Sequence, residues 1–203
     1  MEEQQEVNKI TNKYQTLSYD KENQMIKGRL PIVRNVNDEI VNCCYNVEID
    51  LKHQPPQVKE VDGIIKKYTH IYRGGRLCLS TDIEQFIYIQ EKGLFEWFEK
   101  YVISYFLTYE YYLKYRVYPF GEYSHDKKGE IESLSQILDV NEEHVIETTD
   151  YILHKNYRGH DLCPCGSGKR IRNCHKDIVL KYKKDEYREI FTKENNYLKG
   201  IRK

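Results

Sequence analysis

No apolar run in this 203-residue chain reaches the roughly 18 residues that a membrane-spanning helix requires. The opening residues, Met1 to Glu6, are acidic and polar, so the cationic start and apolar stretch of a secretory signal are missing too. These absences predict a soluble, cytoplasmic protein. Neither sign of charge is in excess: 32 Lys and Arg balance 32 Asp and Glu. The whole-chain electrostatic signature of a nucleic-acid or membrane binder is therefore lacking. The chain also has no glycine-rich phosphate loop, no dinucleotide fingerprint and no internal repeat. What it does have is 39% apolar residues, enough for one core in a domain of ordinary size with a small appendage.

Charge is balanced overall but not along the chain. From Gly166 to the end there are twelve Lys and Arg against five Asp and Glu, which leaves the first 165 residues net acidic. Four of the metal-type side chains cluster at the start of this basic end, as Cys163, Cys165, Cys174 and His175 in a C-x-C-x8-C-H pattern. Three thiolates and one imidazole fill a tetrahedral shell, so the pattern predicts a structural Zn2+ with no open position for water or substrate. Gly166 and Gly168 allow backbone amides to turn back toward the sulfurs. A disulfide is the alternative, disfavoured in a reducing compartment. Lys169, Arg170, Arg172 and Lys176 offer a docking patch for an acidic partner or, equally, a solvated basic surface. Apolar residues from Ile178 to Leu198 recur at a helical period and predict a terminal helix over 177–198.

The larger body carries β-type patterning. Val41, Cys43, Tyr45, Val47, Ile49 and Leu51 alternate with polar residues, which predicts a half-buried strand with Cys43 facing the core and Cys44 facing away. The stretch 24–33 pairs with it across a turn at 34–38, and Pro55-Pro56 precedes a third strand over 58–67. Leu94, Phe95, Phe98, Val102, Tyr105, Phe106 and Tyr109 are spaced three and four apart, which predicts one long amphipathic helix lying across the sheet. A shorter helix is expected over 130–145, with Asn141 capping a further helical stretch to Leu153. The fold class is thus α+β: an antiparallel meander packed by helices, over 1–140, followed at 141–203 by a linker helix, the zinc knuckle and a basic helix.

One cysteine stands apart from both the strand and the knuckle. Cys78 follows the Gly74-Gly75 turn, flanked by Arg73 and Arg76, and partial exposure beside cations is what a nucleophilic thiolate needs. Its Leu77 and Leu79 neighbours equally suit a buried, inert thiol.

Two resemblances add to these readings. Cys163 to His175 resembles the SEC-C zinc motif, a small appendage associated with protein or ribosome-linked interactions. The meander, the proline pair, Gly75-Arg76-Leu77-Cys78-Leu79 and the helix with Trp97 near its start resemble the ubiquitin-conjugating enzyme (UBC) fold, over roughly residues 20 to 138. That resemblance implies a catalytic Cys78 forming a thioester with the C-terminus of a modifier or partner protein and passing it to an amine. The family's His-Pro-Asn is not present, and His70 stands eight residues before the cysteine, where the family has its oxyanion asparagine. His70 is thus a candidate oxyanion donor or a packing residue. Asp82 is a candidate for orienting the amine or a helix cap, and His125 a candidate for facing the cysteine or a loop residue. The stretch Pro119 to Gly129 is similar to bacterial relatives found beside cGAS-like nucleotidyltransferases in antiphage operons, which implies such a protein as a conjugated partner. The other class of function is a non-catalytic UBC-fold adaptor whose basic knuckle binds protein, ribosome or nucleic acid.

Overall fold

The computed structural model describes residues 2–36, 39–66, 68–118, 124 and 126–200. Two compact units divide the chain, Met1–Gly121 and Glu122–Lys203.

The first unit is α+β. Helix α1 (Glu2–Lys13) leads into a four-stranded antiparallel sheet of β1 (Leu17–Asp20), β2 (Met25–Val36), β3 (Glu39–Asp50) and β4 (Gln57–Glu60), ordered β1-β2-β3-β4. The alternation in β3 is as the pattern requires: Tyr45, Val47 and Ile49 are buried and Cys44 is exposed. Cys43 is half-buried against the core, where burial and the nearby Glu110 carboxylate push its thiol up to about 12. The sequence reading finds three strands, and the structure adds β1 and makes the last one shorter. Strand β4 ends at Glu60 because that carboxylate accepts the amide N–H groups of Asp62, Ile64 and Ile65 and curls the chain away from the sheet. Helix α1 was also unforeseen. Its buried residues Val7 and Ile10, with Tyr14 just past its end, are spaced three and four apart within an otherwise polar stretch.

The helical layer begins with α2 (Asp82–Lys92). It continues from Gly93 through α3 (Leu94–Trp97), a π-helical segment (Phe98–Ile103) and α4 (Ser104–Tyr115). This is the long amphipathic helix expected, with its register widened in the middle. Trp97, Phe98, Val102 and Phe106 are fully buried, and the Phe106 ring stacks on Tyr45 of β3 at 4.4 Å. Aromatic burial on this scale supplies most of the driving force for holding helix on sheet. A charged cluster locks the same layers at one edge. Glu99 accepts from the Tyr14 hydroxyl at 2.7 Å and from Arg34 Nη2 at 3.0 Å, and pairs with Lys13 at 2.9 Å.

The second unit is helical. It contains α5 (Asp126–Leu138), a 3-10 turn (Glu142–His144), α6 (Val145–His154), a 3-10 turn (Ile171–Asn173), α7 (Lys176–Tyr182) and α8 (Asp185–Lys199). Helix α5 packs against α6 and α8, so it belongs to this unit, although the sequence reading carries the first domain on to residue 140. The single terminal helix expected over 177–198 is two helices. Lys184 takes an extended backbone between them (φ −63°, ψ 148°), and the Lys183 ammonium caps the end of α6, donating to the Tyr151, Ile152 and Lys155 carbonyls. Among the described residues, no helix is long and apolar enough to cross a membrane.

Candidate active site and metal cluster

Cys78 sits at the end of a tight antiparallel hairpin. The Tyr72 amide donates to the Arg76 carbonyl at 2.8 Å, Ile71 bridges Leu77, and the Cys78 amide donates to the His70 carbonyl at 2.9 Å. The turn between them uses Gly74 and Gly75 at φ values of 102° and 84°. Space is open around both, so glycine is required there by backbone conformation and not by crowding.

Side chains alternate across such a pair, and directly opposed residues share a face. Leu77 is buried and Ile71 packs on the core. His70, Tyr72, Arg76 and Cys78 therefore belong to the opposite face, which carries every polar group of the hairpin arms. Cys78 Sγ donates to the Tyr72 hydroxyl at 3.3 Å. The Arg76 guanidinium lies 4.3 Å from the centre of the Tyr72 ring, and its Nη2 is 3.4 Å from Asp82 Oδ1. Burial and then the bond to Cys78 push the Tyr72 phenol well above its ordinary value of 10, so it stays protonated at neutral pH. A protonated phenol can turn its O–H toward a thiolate and stabilise it.

The frame behind this face is bonded as well as packed. Thr81 caps α2 by accepting from the Glu84 amide at 3.3 Å. The Gln85 side chain is buried, donates to the Ser80 carbonyl at 2.9 Å and accepts from the Trp97 indole N–H at 3.1 Å. The loop that follows Cys78 is thereby tied to the largest fully buried side chain of the core. On the other arm, the Tyr105 hydroxyl donates to the His70 carbonyl at 3.0 Å, and Tyr68 and Tyr118 meet the His70 ring edge to face at 5.2 and 5.4 Å.

The residues singled out from the sequence are distributed as follows. His70 and Cys78 are opposed partners in the hairpin. Asp82 opens α2, next to the Thr81 cap, and its carboxylate faces Arg76. His125 lies outside the described residues. Tyr72 was missed. Its signal was the period of two in His70-Ile71-Tyr72 and Arg76-Leu77-Cys78 on either side of the glycine pair. A separate cavity of about 570 Å³ opens between α1, the Pro55-Pro56 segment and α2, lined by Glu6, His53, Phe86 and Leu94 among others.

In the second unit, Cys163, Cys165, Cys174 and His175 converge with all ligand atoms within 4.8 Å of one another. His175 Nδ1 is 3.2 Å from Cys163 Sγ and 3.1 Å from Cys174 Sγ, and the Cys165 and Cys174 sulfurs are 3.6 Å apart. A tetrahedron with metal bonds of about 2.3 Å to sulfur and about 2.0 Å to nitrogen has edges of about 3.5–3.8 Å, close to this spacing. The four residues can hold a metal ion. Burial opposes ionisation of Cys165, but the Ser167 hydroxyl and amide outweigh it and hold that thiol down at about 6, whereas burial pushes Cys163 up to about 12.

A surrounding set of contacts orients these ligands. His175 Nε2 lies 2.8 Å from the Asp139 carbonyl, which fixes the proton on Nε2 and leaves Nδ1 for the metal. Asp139 itself sits just past the end of α5 at φ 54°, where the Val140 amide closes onto the Ser135 carbonyl, a left-handed helix terminus. Gly166, at φ 74°, passes directly under the His144 ring. Ser167 Oγ contacts both Cys165 and Cys174, at 3.1 and 3.4 Å.

No family model, curated protein or solved structure matches the chain.

Proposed function

We propose that the first unit is a cysteine acyl carrier of the ubiquitin-conjugating type, which takes the C-terminal acyl group of a modifier or partner protein onto Cys78 and passes it to an amine. The single observation that carries this reading is the polar face of the 70–78 hairpin, where the Cys78 sulfur meets the Tyr72 hydroxyl. A structural thiol has no need of a hydrogen-bonding phenol held in place by an arginine. The order of elements, helix, four-stranded meander, cysteine hairpin, helix, supports the same reading.

The chemistry is acyl exchange. In loading, the Cys78 thiolate attacks the carbonyl carbon of an activated donor, the S–C bond forms, and the donor's leaving group departs. In transfer, an amine attacks the Cys78 thioester and the carbonyl oxygen becomes negative in the tetrahedral intermediate. The C–S bond then breaks, Cys78 leaves as thiolate, and the amine's surplus proton goes to solvent. Tyr72 stabilises the thiolate at the start and end of each cycle. His70, on the same face, supplies an imidazole N–H for the oxyanion. Asp82 acts through Arg76, holding the guanidinium over the Tyr72 ring. A cGAS-like nucleotidyltransferase is the conjugated partner that the resemblance in 119–129 puts first.

In the second unit the metal is zinc on this reading, because three thiolates and one imidazole in a closed tetrahedral shell are its usual structural set. Zinc there supplies folding energy, and the basic knuckle it organises serves recruitment.

A discharge experiment tests the carrier. The protein is isolated with any adduct it acquires beside its genomic neighbours and then offered free lysine. Loss of the adduct with appearance of the lysine conjugate is the expected result. An adduct that is inert to amines and to thiols overturns the proposal.

A further inference from the structure

The knuckle carries a second feature that the acyl-carrier reading does not use. Between Lys155 and Lys184 the chain has nine Lys and Arg and only two acidic residues, Asp161 and Asp177. Their placement matters more than their number. Two segments run antiparallel beside the metal cluster: the Cys163 amide donates to the Lys169 carbonyl, Ile171 to Asp161, and Arg172 to Gly159, with Leu162 bridging Arg170.

Alternation sorts the side chains of this pair. Ile171 is fully buried, Cys163 is buried, and the Asp161 carboxylate accepts from the Tyr151 hydroxyl at 3.1 Å. The outward face holds His160, Leu162, Arg170 and Arg172, all exposed, with Arg158 exposed at its end. Among the described residues, Arg158, Lys169, Arg170 and Arg172 have no carboxylate within ion-pair distance. Arg170 is further positioned by a 2.6 Å bond from Nη1 to the His160 carbonyl.

We propose that this face binds the phosphate backbone of a single-stranded nucleic acid. Arginine forks match phosphate oxygens bidentately, and this face carries three of them, of which Arg170 is held by its bond to the His160 carbonyl. The imidazole of His160 and the exposed Leu162 between the cations give bases a flat surface to lie on. Residues 155–170, which carry most of this face and are all described, form no helix that could enter a duplex groove, which favours single strands over double helices. The alternative polyanion, an acidic peptide, lacks the planar bases that this arrangement accommodates.

The test uses the full-length, metal-loaded protein and a fluorescently labelled oligouridylate, followed by anisotropy across a salt series, with polyglutamate as competitor. Three neutralised phosphates on a single strand give a slope of about −2 in log affinity against log salt. Arg158→Glu, Arg170→Glu and Arg172→Glu together are expected to weaken binding about tenfold or more and to flatten that slope. Should the triple variant lose its metal, Arg158→Glu alone serves, since its side chain has no hydrogen bond or ion pair among the described residues; a loss of about threefold is expected, roughly one phosphate contact. Absence of oligouridylate binding at low salt overturns the proposal, as does unchanged binding by a folded variant. Polyglutamate that competes as strongly as nucleic acid overturns it in favour of an acidic protein.

Discussion

The Tyr72 hydroxyl lies 3.3 Å from Cys78 Sγ, across a hairpin whose opposite face is built into the core. Arg76 covers the Tyr72 ring and is itself held by Asp82 of α2, so the phenol is fixed from both sides. This arrangement turns an isolated cysteine in a leucine-flanked loop into a site with a defined partner.

Tyr72→Phe removes that partner while keeping the ring under Arg76. The thiolate loses one hydrogen bond, worth about 1.5 kcal/mol to a charged acceptor, or roughly tenfold in its population at neutral pH. Iodoacetamide alkylation of Cys78 at pH 7 is expected to slow by about that factor and to recover at higher pH, with thermal stability unchanged. Superimposable alkylation profiles for the two proteins would show that Tyr72 does not act on the sulfur.

Gln85 carries a structural load close to the site. Gln85→Leu leaves the buried Trp97 N–H and the Ser80 carbonyl without this partner, at a cost of about 1–3 kcal/mol. Urea unfolding followed by the fluorescence of the single tryptophan reads this directly. A variant as stable as wild type would mean that the bridge contributes no net stability.

Metal removal should act on one unit only. About one zinc per chain is expected, and chelation should melt the helices of the second unit while the sheet of the first persists. Gly166→Ala is expected to weaken metal retention, because a Cβ there meets the His144 ring and the backbone holds φ 74°. Elemental analysis with circular dichroism decides the point. A protein with no bound metal and full helicity contradicts the closed-shell assignment.

The Glu99 cluster predicts an acid limb of stability. Burial favours the protonated acid, but Tyr14, Lys13 and Arg34 outweigh it and hold the carboxyl below the ordinary glutamate value of 4.5. A folded-state value below the unfolded one means stabilisation that is complete above about pH 4.5 and lost as pH falls through the folded value. Glu99→Gln should lower stability at neutral pH by about 1–2 kcal/mol and flatten the acid limb below pH 4.5. A limb of unchanged slope would assign acid sensitivity to other carboxylates.

Legibility in the sequence followed the strength of local periodicity. The β3 strand was readable because Tyr45, Val47 and Ile49 repeat every second residue, and the long helix because Phe98, Val102 and Phe106 repeat every fourth. The four metal-type ligands were readable because their spacing alone brings them together. Helix α1 was hidden because only Val7 and Ile10 mark its buried side, with Tyr14 just beyond its end. The end of β4 was hidden because the Glu60 carboxylate, not a proline or glycine, turns the chain. Tyr72 needed the hairpin register before its relation to Cys78 became visible, and Asp139 needed the left-handed terminus of α5 to bring a main-chain carbonyl to His175. Contacts of these last two kinds depend on tertiary placement, which no single stretch of sequence encodes.

The most direct test is a covalent trap at Cys78. Wild type, Cys78→Ser and Cys78→Ala are expressed with their native genomic neighbours and compared on non-reducing gels and by intact mass. The acyl-carrier account predicts a thiol-sensitive adduct on wild type, a thiol-resistant ester of the same mass on the serine form, and none on the alanine form. The same adduct on all three proteins, or none on any of them, contradicts it.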